Sequence, residues 1–179
     1  FQTRRIFEHE ILMVVIQEML LKRGVKLLLH TRFVDVLKSD DRLKACVLRG
    51  PSGPEALIAD QFVDATGEAE LAHLAGCETM KGRQEDGLQL PMSMMSFVRH
   101  LPADQAKPQV PEGWFEKFET REDLPMVSPW PNGPQSGAIK VKAVGFDSTD
   151  TESITAAEIH GRQRMMSVLD FFQRVENKP

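Results

Sequence analysis

The sequence predicts a mixed α/β fold. Its expected parts are a partial parallel sheet, a three-stranded antiparallel meander and a second α/β segment. Three stretches carry that expectation. Residues 8–29 read as a helix, a glycine and a nearly unbroken apolar strand, the second half of a β-α-β unit. Residues 32–59 hold three short strands separated by turn signals. Residues 61–76 read as a buried strand, a Thr-Gly turn and a short helix ending at Gly76, a residue suited to the left-handed position after a helix.

The first helix is expected over Glu8 to Arg23. Ile11, Leu12, Val14, Val15, Met19 and Leu20 give it a wide apolar surface, as for a helix packed between layers. The Glu8-His9-Glu10 cluster reads as a solvated first turn, where acids suit the helix dipole, and not as a metal site. Gly24 stops the helix, and Val25 to Leu29 follows as a strand covered on both faces.

The meander strands are Arg32–Leu37, Leu43–Leu48 and Glu55–Ala59, with turns at residues 39–42 and 50–54. On the first strand the alternation sets Phe33, Asp35 and Leu37 against Val34 and Val36. Phe62 to Ala65 then has the apolar character of a buried parallel strand. Gly67 after it lets another group approach the backbone, and the first N–H groups of the helix from Glu68 to Ala75 point the same way. Such a corner also forms without any ligand.

The second half is less regular. Pro91 to Arg99 and Ala138 to Val144 read as strands, the latter half-buried through Ile139, Val141 and Ala143. Seven of the eleven prolines fall between Pro102 and Pro134, which predicts a loop-rich excursion with at most one short helix near Trp114–Phe118. Trp114, Phe115, Phe118 and Trp130 could line a substrate pocket or pin those loops to the core. The loop Asp147-Ser148-Thr149-Asp150 leads to a long helix. Its expected cap is the Thr155-Ala156-Ala157-Glu158 box, and its expected stripe is Ile159, Met166, Leu169, Phe171 and Phe172. Gly161 inside it implies a close approach by another backbone or by a further domain. Arg162 and Arg164 read as solvent-facing, with anion contact as the alternative.

With 41% hydrophobic and 27% charged residues, the chain is of ordinary globular composition. A net charge of −4 argues against nucleic-acid binding by bulk electrostatics. No apolar run reaches transmembrane length, so no membrane partner is expected. Cys46 and Cys77 form no Cys-x-x-Cys pair, so no metal site and a reducing, cytoplasmic setting are expected. Phe1 is not a natural start, so the chain is expected to be part of a longer protein. No Gly-x-Ser-x-Gly elbow, His-Glu-x-x-His or P-loop occurs, and no catalytic residue is assigned.

Several phrases resemble, in shared order and spacing, the FAD-dependent oxidoreductase family among the glutathione-reductase-like flavoproteins. They are Val63-Asp64-Ala65-Thr66-Gly67-Glu68, Leu74-Ala75-Gly76, Gly82-Arg83-Gln84-Glu85-Asp86-Gly87 and Leu90-Pro91-Met92-Ser93. Further on come Asp147-Ser148-Thr149-Asp150 and Ile154-Thr155-Ala156-Ala157-Glu158-Ile159-His160-Gly161-Arg162. The departures are Glu68 for Asp, Leu90 for Gln, Ser148 for Gly and His160 for Glu; Leu90 weakens any polar contact at its position.

The resemblance implies that residues 1–76 are a partial, Rossmann-like FAD-binding segment and residues 77–179 a substrate-side segment. It implies FAD as cofactor of the parent protein, a small-molecule substrate, and Phe33, Val34, Ala65, Thr66 and Gly67 as cofactor contacts. The family's Gly-x-Gly-x-x-Gly cradle for the pyrophosphate does not occur in this sequence. FAD is therefore expected to be absent from the isolated chain, and the chain inactive alone. An interrupted sheet leaves an open edge and bare apolar faces, so a homo-oligomer is expected. The rival reading is a non-catalytic binding or self-association module.

Overall fold

The computed structural model describes residues 8–100 and 111–177. The chain divides into two compact units, one of residues 9–81 and one that begins at Gly82. The fold is mixed α/β, as the sequence predicts, and among the described residues both sheets are antiparallel.

In the first unit, helix α1 (His9–Leu21) precedes the strands β1 (Arg32–Ser39), β2 (Arg42–Gly50) and β3 (Gly53–Ile58). The strands form a meander in the order β1-β2-β3. Its two-residue turns fall at Asp40-Asp41 and Pro51-Ser52, where the turn signals lie. Asp40 has φ 54°, a conformation that a short polar side chain tolerates better than a branched one.

The alternation on β1 differs from expectation. Phe33 pairs with Leu48 but Asp35 pairs with Val47, so Val34 is the extra residue of a β-bulge. One inserted residue shifts every later side chain to the other face. Phe33 and Val36 are therefore the half-buried positions, and Val34, Asp35 and Leu37 are exposed.

The parallel layer does not form among the described residues. Val25–Leu29 and Phe62–Ala65 carry no strand pairing. An apolar run becomes a strand only where a neighbour satisfies its N–H and C=O groups, and none of the described strands lies beside these two runs. Helix α1 has no buried residue, so the layers expected to cover it are likewise not among the described residues.

Helix α2 (Glu70–Ala75) starts two residues later than predicted and ends at Gly76, φ 87°. The Gly76 N–H donates to His73 O and the Cys77 N–H to Ala72 O, the paired closure of a Schellman end. The helix lies along β1. Arg32 reaches Glu70 at 3.9 Å, and Lys38 Nζ donates to Ala75 O.

The second unit has strands β4 (Met92–Arg99), β5 (Val127–Gly133) and β6 (Ser136–Ala143) in the order β4-β6-β5, and helix α3 (Thr151–Arg174). Strand β5 was hidden by its prolines. It is an edge strand, and Lys142 N donates to Met126 O, which aims the backbone of even-numbered β5 residues at β6. Pro129 and Pro131 occupy the outward positions, where a missing N–H breaks no ladder bond. No helix forms at 114–118; a single 3-10 turn stands at Arg121–Asp123. The part of the proline-rich excursion at 101–110 lies outside the described residues.

Helix α3 begins four residues before the expected box. Asp150 is its cap, accepting from Ser153 N at 2.7 Å. Its buried stripe is Ala157, Gly161, Met165, Val168 and Phe171; of the expected set Phe171 is buried, Leu169 and Phe172 pack against the core, and Ile159 is exposed. The shift follows from closeness: a helix laid tightly on a sheet needs small residues at the crossing. Phe118, Ile139, Val141, Met165, Val168 and Phe171 form the core, with Met94, Val98, Leu124 and Val127 packed against it.

The close approach at Gly161 is made by Met94 of β4. A Cβ on Gly161 would stand 3.1 Å from Met94 Cβ and 3.4 Å from its Cε. Met94 Cβ is fixed to a paired strand and cannot swing away. Gly161→Leu is therefore expected to lower stability by about 1–3 kcal/mol through overpacking. An unchanged denaturation midpoint for that variant would show that the seam is looser than described.

Candidate functional site

The candidate site is the corner at residues 64–72 and the strand beside it. Asp64 organises it. Asp64 Oδ1 accepts from the Thr66 N–H at 2.9 Å and from the Thr66 hydroxyl at 2.7 Å, while Oδ2 accepts from Ala72 N at 2.9 Å. The Thr66 hydroxyl oxygen in turn accepts from Glu70 N at 3.0 Å. One carboxylate thus joins the incoming segment, the turn and the second residue pair of α2. Hydrogen bonds from the Ala72 amide first, and then from Thr66, hold the Asp64 carboxyl below the usual aspartate range.

The lock holds a strained link. Ala69, directly before α2, has φ 54°, a left-handed geometry that costs an alanine of order 1–2 kcal/mol. The Glu70 and Ala72 N–H groups after Ala69 donate to Thr66 and Asp64 before it, and these bonds fix the chain in this conformation.

The structure places each predicted contact as follows. Phe33 is half-buried on β1, and Val34 is exposed on the bulge. Ala65, Thr66 and Gly67 are exposed. A Cβ added to Gly67 would meet nothing within 4 Å, so open space lies beside it. The Arg32–Glu70 pair links the start of β1 to the residue that Thr66 caps, which brings the two predicted strips to one end of the first unit.

The corner has room for one kind of group and lacks free donors for another. Open space at Gly67 and an exposed bulge at Val34 suit close backbone contact with a flat, partly apolar group. A pyrophosphate needs free donors. The Glu70 and Ala72 N–H groups already serve Thr66 and Asp64, and Thr66 commits both its amide and its hydroxyl to Asp64. The expectation that the amides opening the helix face a ligand therefore does not extend to these two.

In the second unit, the remaining motifs do structural work. Gly82, φ 72°, abuts Gly87: a Cβ there would fall 2.1 Å from Gly87 O. Arg83 donates through Nε and Nη2 to the two oxygens of Asp86, each at 2.6 Å. The Gly-Arg to Asp-Gly phrase is thus a closed loop. Gln89 donates to Asp147 at 2.8 Å and accepts from Ser148 N at 3.0 Å. This ties the entry of β4 to the entry of α3, a polar role beside Leu90, which is 92% exposed.

The aromatic residues divide. Phe118 is 1% exposed and belongs to the core, whereas Trp114 is 77% exposed. Trp130 lies under Lys140 Nζ, 5.8 Å from the ring centroid. Arg162 pairs with Glu158, and Arg164 pairs with Glu116 at 2.5 Å and stacks on Phe118. Among the described residues no group of three His, Cys, Asp or Glu side chains could hold a metal ion. No described helix is long and apolar enough to cross a membrane.

In the sequence Asp64 stands out only within a family phrase. Its signal was legible: Asp64-x-Thr66 is the spacing at which a carboxylate accepts from its own backbone two residues on. The Trp130–Lys140 contact had no such signal, because β5 was not foreseen.

Two outcomes follow for the corner. Asp64→Asn removes one accepting oxygen, so the amide protection of Ala72 or Thr66 against hydrogen exchange is expected to fall. With a depressed folded-state value, the ionised lock is fully effective above the ordinary aspartate value of about 3.9 and is lost as pH falls through the lower folded value. Residue-resolved exchange in this acidic window checks it; Ala72 protection that ignores both the variant and the pH would remove Asp64 from this role.

Neither a curated protein nor a solved structure matches the chain. A family model does: the one described as FAD dependent oxidoreductase covers residues 1–176. The match spans the locked corner, the closed Arg83–Asp86 loop and the Gln89–Asp147 tie alike, and on that extent the chain belongs to the FAD-dependent oxidoreductase family.

Proposed function

We propose that the chain is the central part of a flavoprotein that passes a hydride or electrons between a small substrate and FAD. The observation that carries this reading is the Asp64-locked corner, with open space at Gly67 and the Val34 bulge at the same end of the first unit. FAD, when bound, supplies the redox chemistry. The chain's part is to hold an edge of it: Phe33 and Val34 by their strand backbone, Ala65, Thr66 and Gly67 by the corner that Asp64 keeps rigid.

Because no Gly-x-Gly-x-x-Gly occurs in this sequence and the Glu70 and Ala72 amides serve side chains, this chain alone is proposed to hold FAD weakly and to be inactive. The second unit, from Gly82, is proposed to carry the substrate-facing part. Two free thiols, Cys46 and Cys77, support a cytoplasmic setting.

A second reading has its own observation. Helix α1 exposes Ile11, Val14 and Val15 on one face, at i, i+3 and i+4, a surface that favours pairing of copies. A self-association module without redox work would use it, and so would a flavoprotein that is a homo-oligomer.

The purified chain is expected to carry no stoichiometric yellow flavin and to bind added FAD weakly. Gly67→Val is expected to weaken that binding further. Gly67 lies outside the left-handed region and faces open space, so the change does not strain the fold. Flavin copurifying one-to-one would contradict the weak-binding account, and a Gly67→Val affinity equal to the parent's would contradict the placement of the cofactor.

A further inference from the structure

Residues 112–124 lead to β5 along the second half of α3. Among the described residues no main-chain hydrogen bond joins this segment to β4, β5, β6 or α3. Its own main-chain bonds run from Asp123 N to Thr120 O and from Leu124 N to Arg121 O, inside the single turn at its end. A segment without a ladder is held to its unit by side chains, and such segments open more readily than the elements beneath them.

Those side chains are of two kinds. Phe118 is the one buried residue between 112 and 124, and it sits in the core with Ile139, Val141, Met165, Val168 and Phe171. Leu124 packs against the same core from a half-buried position. The polar bonds from the segment to the rest of the unit all involve a charged group. Glu116 pairs with Arg164 at 2.5 Å, Glu119 with Arg174 at 2.8 Å, and Arg121 with Glu176 at 2.5 Å. Arg174 also donates to Phe118 O at 2.7 Å, and Arg164 lies over the Phe118 ring, 5.5 Å from its centroid. Two arginines of one helix therefore bracket a single aromatic plug.

The partners follow in the same chain order on both sides, so the segment runs parallel to α3. The Glu176 side chain is 12% exposed, and Arg121 neutralises a carboxylate that lifting the segment returns to water. The sheet does not depend on this attachment. Strands β4, β6 and β5 hold one another by their ladders, and α3 is seated on β4 where Gly161 meets Met94.

We propose that residues 112–124 are a strap latched to α3 by charge: they lift and return as one unit, carrying Phe118 out of the core, while the β4-β6-β5 sheet stays folded. The recess that Phe118 fills belongs to the unit proposed to face the substrate, and on that reading the strap is the gate to it. The test contains no flavin, so the two readings fail separately.

Trypsin reads the opening. Lys117 directly precedes Phe118, and the bond between them fits a protease only when Phe118 has left the core. Cleavage there is measured relative to the free peptide of residues 112–124, which removes any effect of salt on the protease, and amide exchange of β6 is followed in parallel. Raising NaCl from about 0.05 M to about 0.5 M screens the ion pairs and is expected to speed this cleavage severalfold. Arg174→Gln is expected to speed it about tenfold, the scale of lost charge-assisted bonds, since cleavage tracks the population of the open form. In both cases β6 is expected to keep its protection. If Arg174→Gln loosens β6 as well, Glu116→Gln, at an exposed carboxylate, takes its place and is expected to give a severalfold rise with β6 intact. Cleavage indifferent to salt and to both substitutions, or rising only in step with β6 exchange, overturns the proposal.

Discussion

The candidate site depends on one carboxylate. Asp64 accepts from both ends of a tight corner, two bonds from Thr66 and one from Ala72, and with the Thr66–Glu70 bond it holds the left-handed turn at Ala69. Its position also sets what the corner can do. A carboxylate that occupies the Ala72 amide puts negative charge where an incoming phosphate would need positive dipole. The contact proposed for this corner is accordingly with a neutral, flat part of a nucleotide, approached through the open space at Gly67.

The second unit is governed by closeness. Gly161 lets α3 settle against Met94, and the core residues Val141, Val168 and Phe171 seal around that crossing. The phrases that mark the family are here mostly fastenings. Arg83 with Asp86 closes a loop, Gln89 with Asp147 and Ser148 joins strand entry to helix entry, and Asp150 caps the helix. A sequence signature of a flavoprotein can thus be a signature of how the scaffold is tied.

Much of this was legible in the residues. The meander could be read because its turns are marked by Asp40-Asp41 and Pro51-Ser52, and Gly76 ends α2 as a C-terminal glycine should. Misreadings came where a non-local effect decided. The Val34 bulge breaks a pattern that looked regular, since nothing local distinguishes a bulged residue from its neighbours. Strand β5 was masked by Pro129 and Pro131, which edge position alone permits. The helical stripe holds the expected Phe171, but its first turns are set by proximity to β4, which favours Ala157 and Gly161 over Ile159. The apolar runs at 25–29 and 62–65 find no strand to pair with among the described residues. Asp64 was visible by spacing, but its reach to Ala72 depends on the fold.

The central claim is that this chain meets a flavin nucleotide with a rigid backbone edge and not with a helix terminus. The most direct measurement is amide NMR of the chain with excess FAD, read residue by residue. The account predicts shifts at Val34, Ala65 and Gly67 while the Glu70 and Ala72 amides keep the signature of their bonds to Thr66 and Asp64. Shifts centred on Glu70 and Ala72, with Val34 and Gly67 silent, would contradict it.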